Sequence, residues 1–177
     1  NKAVVLFCIG LANERLGQYD EAVKYFEACF RADFSYRGTR EALGRNYVKL
    51  KRYDEAITIY KAELAAEPSL QTFGALLIAY EKTGSLNSEM ASYKDEIKKY
   101  PDSPAAYNKL GMAYITLKRY DDAAACFQKS IIASITNTIF SAGKVSGNAE
   151  VYQMLSFSYS KLDKYDLLIL KELKELI

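Results

Sequence analysis

Apolar and polar positions alternate along this chain with the period of an amphipathic helix. Between residues 43 and 64 two apolar stripes follow each other, with spacings of i, i+4, i+7 and i, i+4, i+8. The stripes consist of Leu43, Tyr47 and Leu50, followed by Ala56, Tyr60 and Leu64. Such spacing places each set on one face of a helix. The pattern therefore predicts two helices joined by a turn at residues 51–54, with Asp54 as the N-cap of the second helix.

The same pattern recurs along the chain. The block Tyr-Asp-Glu-Ala occupies residues 19–22 and 53–56, and the block Tyr-Asp-Asp-Ala occupies residues 120–123. At constant spacing a glycine precedes and an aromatic residue follows each block: Gly10, Gly44 and Gly111, then Phe26, Tyr60 and Phe127. The blocks lie 34 and then 67 residues apart, which leaves room for one more copy between the second and the third. This weaker copy is marked by Phe73, Leu76, Tyr80, Gly84, Tyr93 and Pro101.

A partial fifth copy follows near the end of the chain. It is marked by Tyr152, Leu155, Tyr159 and the triplet Lys-Tyr-Asp at residues 164–166. About eleven extra residues separate it from the fourth copy, within the segment 134–147, which is rich in Ser, Thr, Asn and Gly. Two alternatives stay open for this insertion, namely a loop or an extension of the preceding helix.

The repeated pattern resembles that of the tetratricopeptide repeat family and covers nearly the whole chain. The resemblance implies an all-α fold, a right-handed superhelical solenoid of antiparallel helix pairs with a concave groove. About five repeats are expected in a single domain spanning residues 1–177. Their approximate ranges are 3–36, 37–69, 70–103, 104–137 and 149–177, with the insertion at approximately 138–148.

Elementary physical chemistry supports the same arrangement. The small residues Gly44 and Ala56 allow the two helix backbones of a pair to approach closely, and the aromatic side chains fill the surrounding space. Pro68 and Pro101 are expected to end second helices, whereas Pro104 suits the first turn of the next helix. One helix pair cannot bury its own apolar face, so neighbouring pairs must stack.

Some positions depart from the family pattern. Glu63 and Glu96 stand where the family usually has a small residue, and Leu77 and Ser156 replace the glycine. We interpret these departures as local shifts in helix packing. A functional role for the two carboxylates is the alternative.

Composition then narrows the possible functions. The 177 residues carry a net charge of +2, which gives no strong reason to expect nucleic acid or a membrane surface as the partner. The chain has no histidine and no phosphate-binding glycine loop. Its three scattered cysteines (Cys8, Cys29 and Cys126) lie on apolar helical stretches, where we expect inert core thiols. We therefore predict no enzyme, no metal site and no cofactor.

Twelve of the fifteen tyrosines occupy repeated positions, which favours a scaffold role over stacking on nucleic-acid bases.

Neither a membrane span nor a targeting signal is expected. The longest apolar run, residues 3–8, is far shorter than the roughly 20 residues that cross a bilayer. The bulky Phe7 precedes Cys8, where a lipoprotein signal needs a small residue. The compartment stays open, with a slight preference for the cytoplasm.

The resemblance also implies a binding surface, because peptides usually bind the concave face lined by the first helix of each pair. The expected peptide-binding groove consists of Leu11, Arg45, Lys49, Ile78, Lys82, Met112, Ile115 and Phe157. Its apolar side chains with a basic rim predict a partner segment that is extended or helical, partly apolar and flanked by acidic residues. The alternative for several of these residues is packing against neighbouring repeats.

The sequence thus predicts a non-enzymatic adaptor for a protein or peptide partner. A structural scaffold that self-assembles through apolar terminal helices is the alternative. The stretch 167–177 is more apolar than a solvent-facing capping helix, which indicates that the chain continues or that this end docks on another copy as a homo-oligomer.

Overall fold

The computed structural model describes residues 2–141 and 149–161. Its helices in this part of the chain are α1 (Lys2–Arg15), α2 (Tyr19–Ala32), α3 (Thr39–Lys49), α4 (Tyr53–Ala66), α5 (Leu70–Thr83), α6 (Leu86–Lys99), α7 (Pro104–Thr116), α8 (Tyr120–Ser141) and α9 (Ala149–Lys161). The odd-numbered helices are the first helices of the predicted repeats, and the even-numbered helices are the second.

The chain forms two compact units, one ending at Leu86 and the other beginning at Asn87. In the first unit α1 packs on α2 and α3 on α4, while α2 contacts α3 and α4 contacts α5. In the second unit α8 packs between α7 and α9. Lys109 Nζ on α7 donates a hydrogen bond of 3.0 Å to Glu96 Oε2 on α6, so these two helices lie side by side. The predicted all-α arrangement of helix pairs is confirmed.

Close contact between a glycine and an aromatic ring joins the two helices of the first, second and fourth pairs. A Cβ atom built on Gly111 would lie 2.7 Å from the ring of Phe127, and one built on Gly10 would lie 2.6 Å from the ring of Phe26. A Cβ atom built on Gly44 would likewise collide with the ring of Tyr60, which is 1% exposed. The recurring glycine and the aromatic residue sixteen positions later are therefore one packing element, as the sequence predicts.

A residue in the left-handed backbone conformation marks the turn within each of the first four pairs. The φ angles are +75° at Gly17, +61° at Lys51, +77° at Gly84 and +58° at Lys118. Glycine adopts this conformation without strain, whereas lysine does so at a cost. The position recurs with the period of the repeat even though its residue type changes.

Helix ends agree with the sequence in part. Helix α4 ends two residues before Pro68, α6 ends two residues before Pro101, and Pro104 opens α7. The prediction that Asp54 caps α4 is wrong: the helix already begins at Tyr53, and the N-cap is Arg52 with no side-chain cap. Asp54 lies in the first turn instead, where a carboxylate still favours the positive end of the helix dipole.

The insertion and the fifth repeat lie only partly within the described residues. Helix α8 continues to Ser141, so the start of the insertion is an extension of the second helix of the fourth pair. Residues 142–148 and the second helix expected at the end of the fifth repeat, including the apolar stretch 167–177, lie outside the described residues.

Candidate functional site

The surface of the first helices carries the candidate site, and one position in every repeat defines it. This position lies two residues before Tyr47, Tyr80, Tyr114 and Tyr159, and at the matching place in α1. It holds Leu11, Arg45, Ile78, Met112 and Phe157. None of the five is buried, and Ile78 and Phe157 are 46% and 43% exposed. With Lys49, Lys82 and Ile115 they form what we call the first-helix surface.

In the first unit, ionic and polar contacts join three first helices across this surface. Arg45 on α3 donates two hydrogen bonds to the Glu14 carboxylate on α1, from Nε at 3.1 Å and from Nη2 at 3.2 Å. Its Nη1 donates a third, at 3.1 Å, to Glu41 Oε1 on the preceding turn. Gln71 on α5 donates to the same oxygen at 3.3 Å. The two-pronged pairing of Arg45 with Glu14 fixes the orientation of its guanidinium plane.

These contacts change the electrostatics expected of the surface. Burial by itself lowers the pKa of the Arg45 guanidinium, but the hydrogen bond and charge of Glu14, with the charge of Glu41, outweigh burial and raise the pKa. The positive charge of Arg45 is therefore compensated within the protein. Lys49 and Lys82 are exposed, and no carboxylate in the described part of the chain lies within ion-pair distance of either.

In the second unit the surface is more apolar. Met112 and Ile115 lie half-buried on α7. Phe157 lies on α9, with its ring edge-on to Tyr120 at a centroid distance of 6.2 Å. Lys161 Nζ lies 5.4 Å from the centroid of the Phe157 ring, which is a cation–π distance.

The eight predicted residues thus divide between the units. Leu11, Arg45, Lys49, Ile78 and Lys82 belong to the first unit, and Met112, Ile115 and Phe157 to the second. Sequence reasoning assigned Glu14, Glu41 and Gln71 no part in holding Arg45. Opposite charges at Glu14 and Arg45, on equivalent turns of successive first helices, are the signal from which their pairing could have been inferred.

The two unusual glutamates have structural partners. Glu63 on α4 accepts a hydrogen bond of 3.3 Å from Arg40 Nη1, in the first turn of α3. Ser130 occupies the repeat position equivalent to Glu63, and it donates at 3.1 Å to the carbonyl of Pro104, at the start of α7. Glu96 accepts from Lys109. These ion pairs account for both carboxylates as helix-joining groups.

The thiols differ in accessibility. Cys29 and Cys126 are buried, and burial raises the pKa of the Cys126 thiol to about 11. A neutral buried thiol is a poor nucleophile. Cys8 is exposed, so the interpretation of all three cysteines as core residues is wrong for this one. Residues 2–141 and 149–161 contain no cluster of three or more cysteine or acidic side chains placed to hold a metal ion.

Sequence profiles of a known repeat decide the family. Two profiles, each described as tetratricopeptide repeat, match this chain, one at residues 3–35 and 104–136 and the other at residues 39–72. The chain belongs to the tetratricopeptide repeat family. Tetratricopeptide repeat proteins are protein-interaction and scaffold modules that are generally not enzymes, and this places the chain in the same class.

Solved tetratricopeptide repeat structures have a similar fold. MamA from Desulfovibrio magneticus RS-1 is 18% identical and superposes with a TM-score of 0.52, covering 98% of this chain and 93% of MamA. A tetratricopeptide repeat protein from Parabacteroides merdae is also 18% identical, with a TM-score of 0.51, covering 93% and 68% of the two chains. At such identity the likeness shows the fold alone.

A curated relative in sequence is a putative pentatricopeptide repeat-containing protein of Arabidopsis thaliana. It is 27% identical over 110 residues, which cover 60% of this chain and 25% of the relative. The chain therefore spans about a quarter of that relative's length.

Across the described ranges, the structure contains no helix that is both long and apolar enough to cross a bilayer.

Proposed function

We propose that this tetratricopeptide repeat chain is an adaptor that binds a peptide segment of a partner protein on its first-helix surface. The observation that carries the proposal is the periodic position at Leu11, Ile78, Met112 and Phe157, which is apolar in four of five repeats and buried in none. Apolar side chains that stay accessible at regular intervals along the first helices are typical of a docking surface.

The structure refines the expected partner chemistry. Because Glu14 and Glu41 already neutralise Arg45, Lys49 and Lys82 remain of the three cations on the first-helix surface to recognise acidic residues. The proposed peptide therefore places apolar side chains on Leu11 and Ile78 and an acidic residue near Lys49 or Lys82. In the second unit Met112, Ile115 and Phe157 accept further apolar side chains, and the flexible Met112 accommodates varied shapes.

A displayed peptide library selected against the purified chain tests this proposal. The test variants are Ile78→Glu and Phe157→Glu, which place a charge on the first-helix surface. The matched controls are Ile132→Glu on α8 and Phe34→Glu between α2 and α3, at positions that are 61% and 71% exposed and lie off that surface.

We expect enriched peptides with an apolar centre that bind the controls normally and both test variants at least about tenfold more weakly. Library selection that yields no peptide, or peptides that bind the test variants and the controls equally well, would contradict the proposal.

Self-assembly is a second candidate function, and the exposed face of α1 favours it. Val5, Ile9 and Leu16 form an apolar stripe that is 57%, 36% and 73% exposed. Such a stripe can be covered by another copy of the chain or by a preceding repeat.

Sedimentation velocity over a hundredfold concentration range distinguishes these cases, with Val5→Lys as the test variant and Ile132→Lys as the control. A dimer that only Val5→Lys dissociates would support self-assembly, and a monomer at every concentration would refute it.

A further inference from the structure

A cleft of about 400 Å³ opens in the second unit between the second helices α6 and α8, with α7 as its floor. We call it the second-helix cleft. Three lysines line it: Lys94 and Lys98 from α6 and Lys129 from α8. None of Met112, Ile115 and Phe157 lines the cleft. Its volume is at the lower end of the range for ligand pockets in proteins.

Aromatic rings hold two of the lysines over the cleft. Lys94 Nζ lies 6.0 Å from the ring centroid of Tyr114, and Lys129 Nζ lies 6.0 Å from that of Tyr107. Both rings line the cleft themselves. Burial raises the pKa of the Cys126 thiol, whereas the charges of Lys94 and Lys129 both act to lower it. The two ammonium groups thus converge on the same apolar space.

The carboxylates beside the cleft do not balance these charges. Asp122 lines the cleft but accepts a hydrogen bond of 2.8 Å from Arg119 Nε. Asp95 accepts one of 2.8 Å from Lys98, in an exposed pair that contributes little stability. The described surroundings of the cleft therefore carry an excess of positive charge around tyrosine, leucine and isoleucine side chains.

We propose that the second-helix cleft binds an acidic peptide segment of a partner protein, with one apolar or aromatic side chain in the cleft and flanking carboxylates at Lys94 and Lys129. Charge complementarity selects this occupant, because an apolar floor with a cationic rim matches an apolar residue between acidic ones. This site is separate from the first-helix surface and does not depend on binding there.

Fluorescence anisotropy with a labelled peptide tests the inference. The probe is the hexapeptide Glu-Glu-Leu-Phe-Glu-Glu, and its comparison peptides are Lys-Lys-Leu-Phe-Lys-Lys and Glu-Glu-Ser-Ser-Glu-Glu. Because both charge and apolar contact are required, we expect the probe to bind more tightly than either comparison peptide. Raising the salt concentration should weaken binding of the probe, since its carboxylates are recognised at an exposed rim.

Two kinds of variant locate the binding site. The double variant Lys94→Gln with Lys129→Gln removes two positive charges from the cleft, and we expect it to bind the probe about tenfold more weakly. The control Lys2→Gln with Lys24→Gln removes two positive charges elsewhere, and we expect it to weaken binding less than about twofold. Ala125→Trp, at an exposed position in the cleft, fills the cavity without changing any charge. We expect it also to weaken binding about tenfold, while Ala62→Trp, at an exposed position of α4 in the first unit, leaves binding unchanged.

Circular dichroism must show that each variant is folded. Probe binding that Ile78→Glu abolishes and the cleft variants leave intact would overturn the inference, because it would place the peptide on the first-helix surface. Failure of the probe to bind at millimolar concentration would also overturn the inference. A uridine oligonucleotide that displaces the probe and binds more tightly would also overturn it in favour of a nucleic-acid site.

Discussion

Replacing Gly111 with alanine should destabilise the second unit, although alanine is the better helix former. In the helix interior the substitution alone contributes about 0.5–1 kcal/mol of stability. The new methyl group, however, would lie 2.7 Å and 2.8 Å from two atoms of the Phe127 ring. That ring is fully buried, and close-packed protein interiors leave little room for a ring to move.

The two opposing effects have different sizes. Overpacking of a tight core typically costs about 1–3 kcal/mol. Subtracting the midpoint of the gain in helix propensity from the midpoint of this range leaves a net destabilisation of about 1 kcal/mol. For a chain of this length, about 1 kcal/mol lowers the midpoint of thermal unfolding by roughly 2–4 °C.

Urea unfolding followed by circular dichroism measures this difference in the free energy of unfolding. Ala91→Gly, at an exposed position of α6, calibrates the helix-propensity effect alone and should cost about 1 kcal/mol. Adding Phe127→Leu to Gly111→Ala should cost less than the sum of the single changes, because the smaller side chain relieves the contact. A gain in stability for Gly111→Ala, similar in size to the loss for Ala91→Gly, would refute the close packing of α7 on α8.

Three further outcomes follow from the structure. With a thiol-reactive chromophore, Cys8 alone should react quickly in the folded chain, and the other two thiols should react only on unfolding, a difference that stopped-flow absorbance measures. Ser103→Ala removes the side-chain cap of α7 and should lower the free energy of unfolding by about 1 kcal/mol in a urea titration. Burial raises the pKa of Tyr47 and Tyr60 to about 12. The contribution of these two tyrosines to the free energy of unfolding should therefore be constant up to about pH 10 and fall as the pH rises toward 12. Absorbance at 295 nm should show both tyrosines ionising only in that upper range, and normal ionisation near pH 10 would contradict their burial.

Much of the fold could be predicted because its determinants are local and repeat. Glycine, alanine and aromatic residues at constant spacing specify how one helix packs on the next, so Gly44 and Tyr60 could be paired without coordinates. The left-handed turn at Lys51 and Lys118 escaped prediction because lysine gives no hint of that backbone conformation. Asp54 was assigned as a cap on residue type, whereas the helix begins one residue before it.

The candidate site was predictable only in outline. Periodicity identifies the residues on the first-helix surface, and the accessibility of Ile78 and Phe157 agrees with that assignment. Whether a charge is available depends on side-chain geometry across helices, and this is why the pairing of Arg45 with Glu14 was not foreseen. The second-helix cleft brings together α6 and α8, whose lysines are too far apart in sequence to suggest a shared site.

The constant interval between each glycine and its aromatic partner determines where this chain can change length during evolution. One residue added between a glycine and its aromatic partner would change their interval, and where it extends a helix it would rotate the following side chains by about 100° about the helix axis and carry the ring away from its glycine. Connections between pairs have no such requirement, and they differ in length: residues 33–38 join α2 to α3, whereas residues 67–69 join α4 to α5. Homologous chains should therefore gain and lose residues between pairs, as in the long insertion after the fourth pair, and keep the turns within pairs at fixed length.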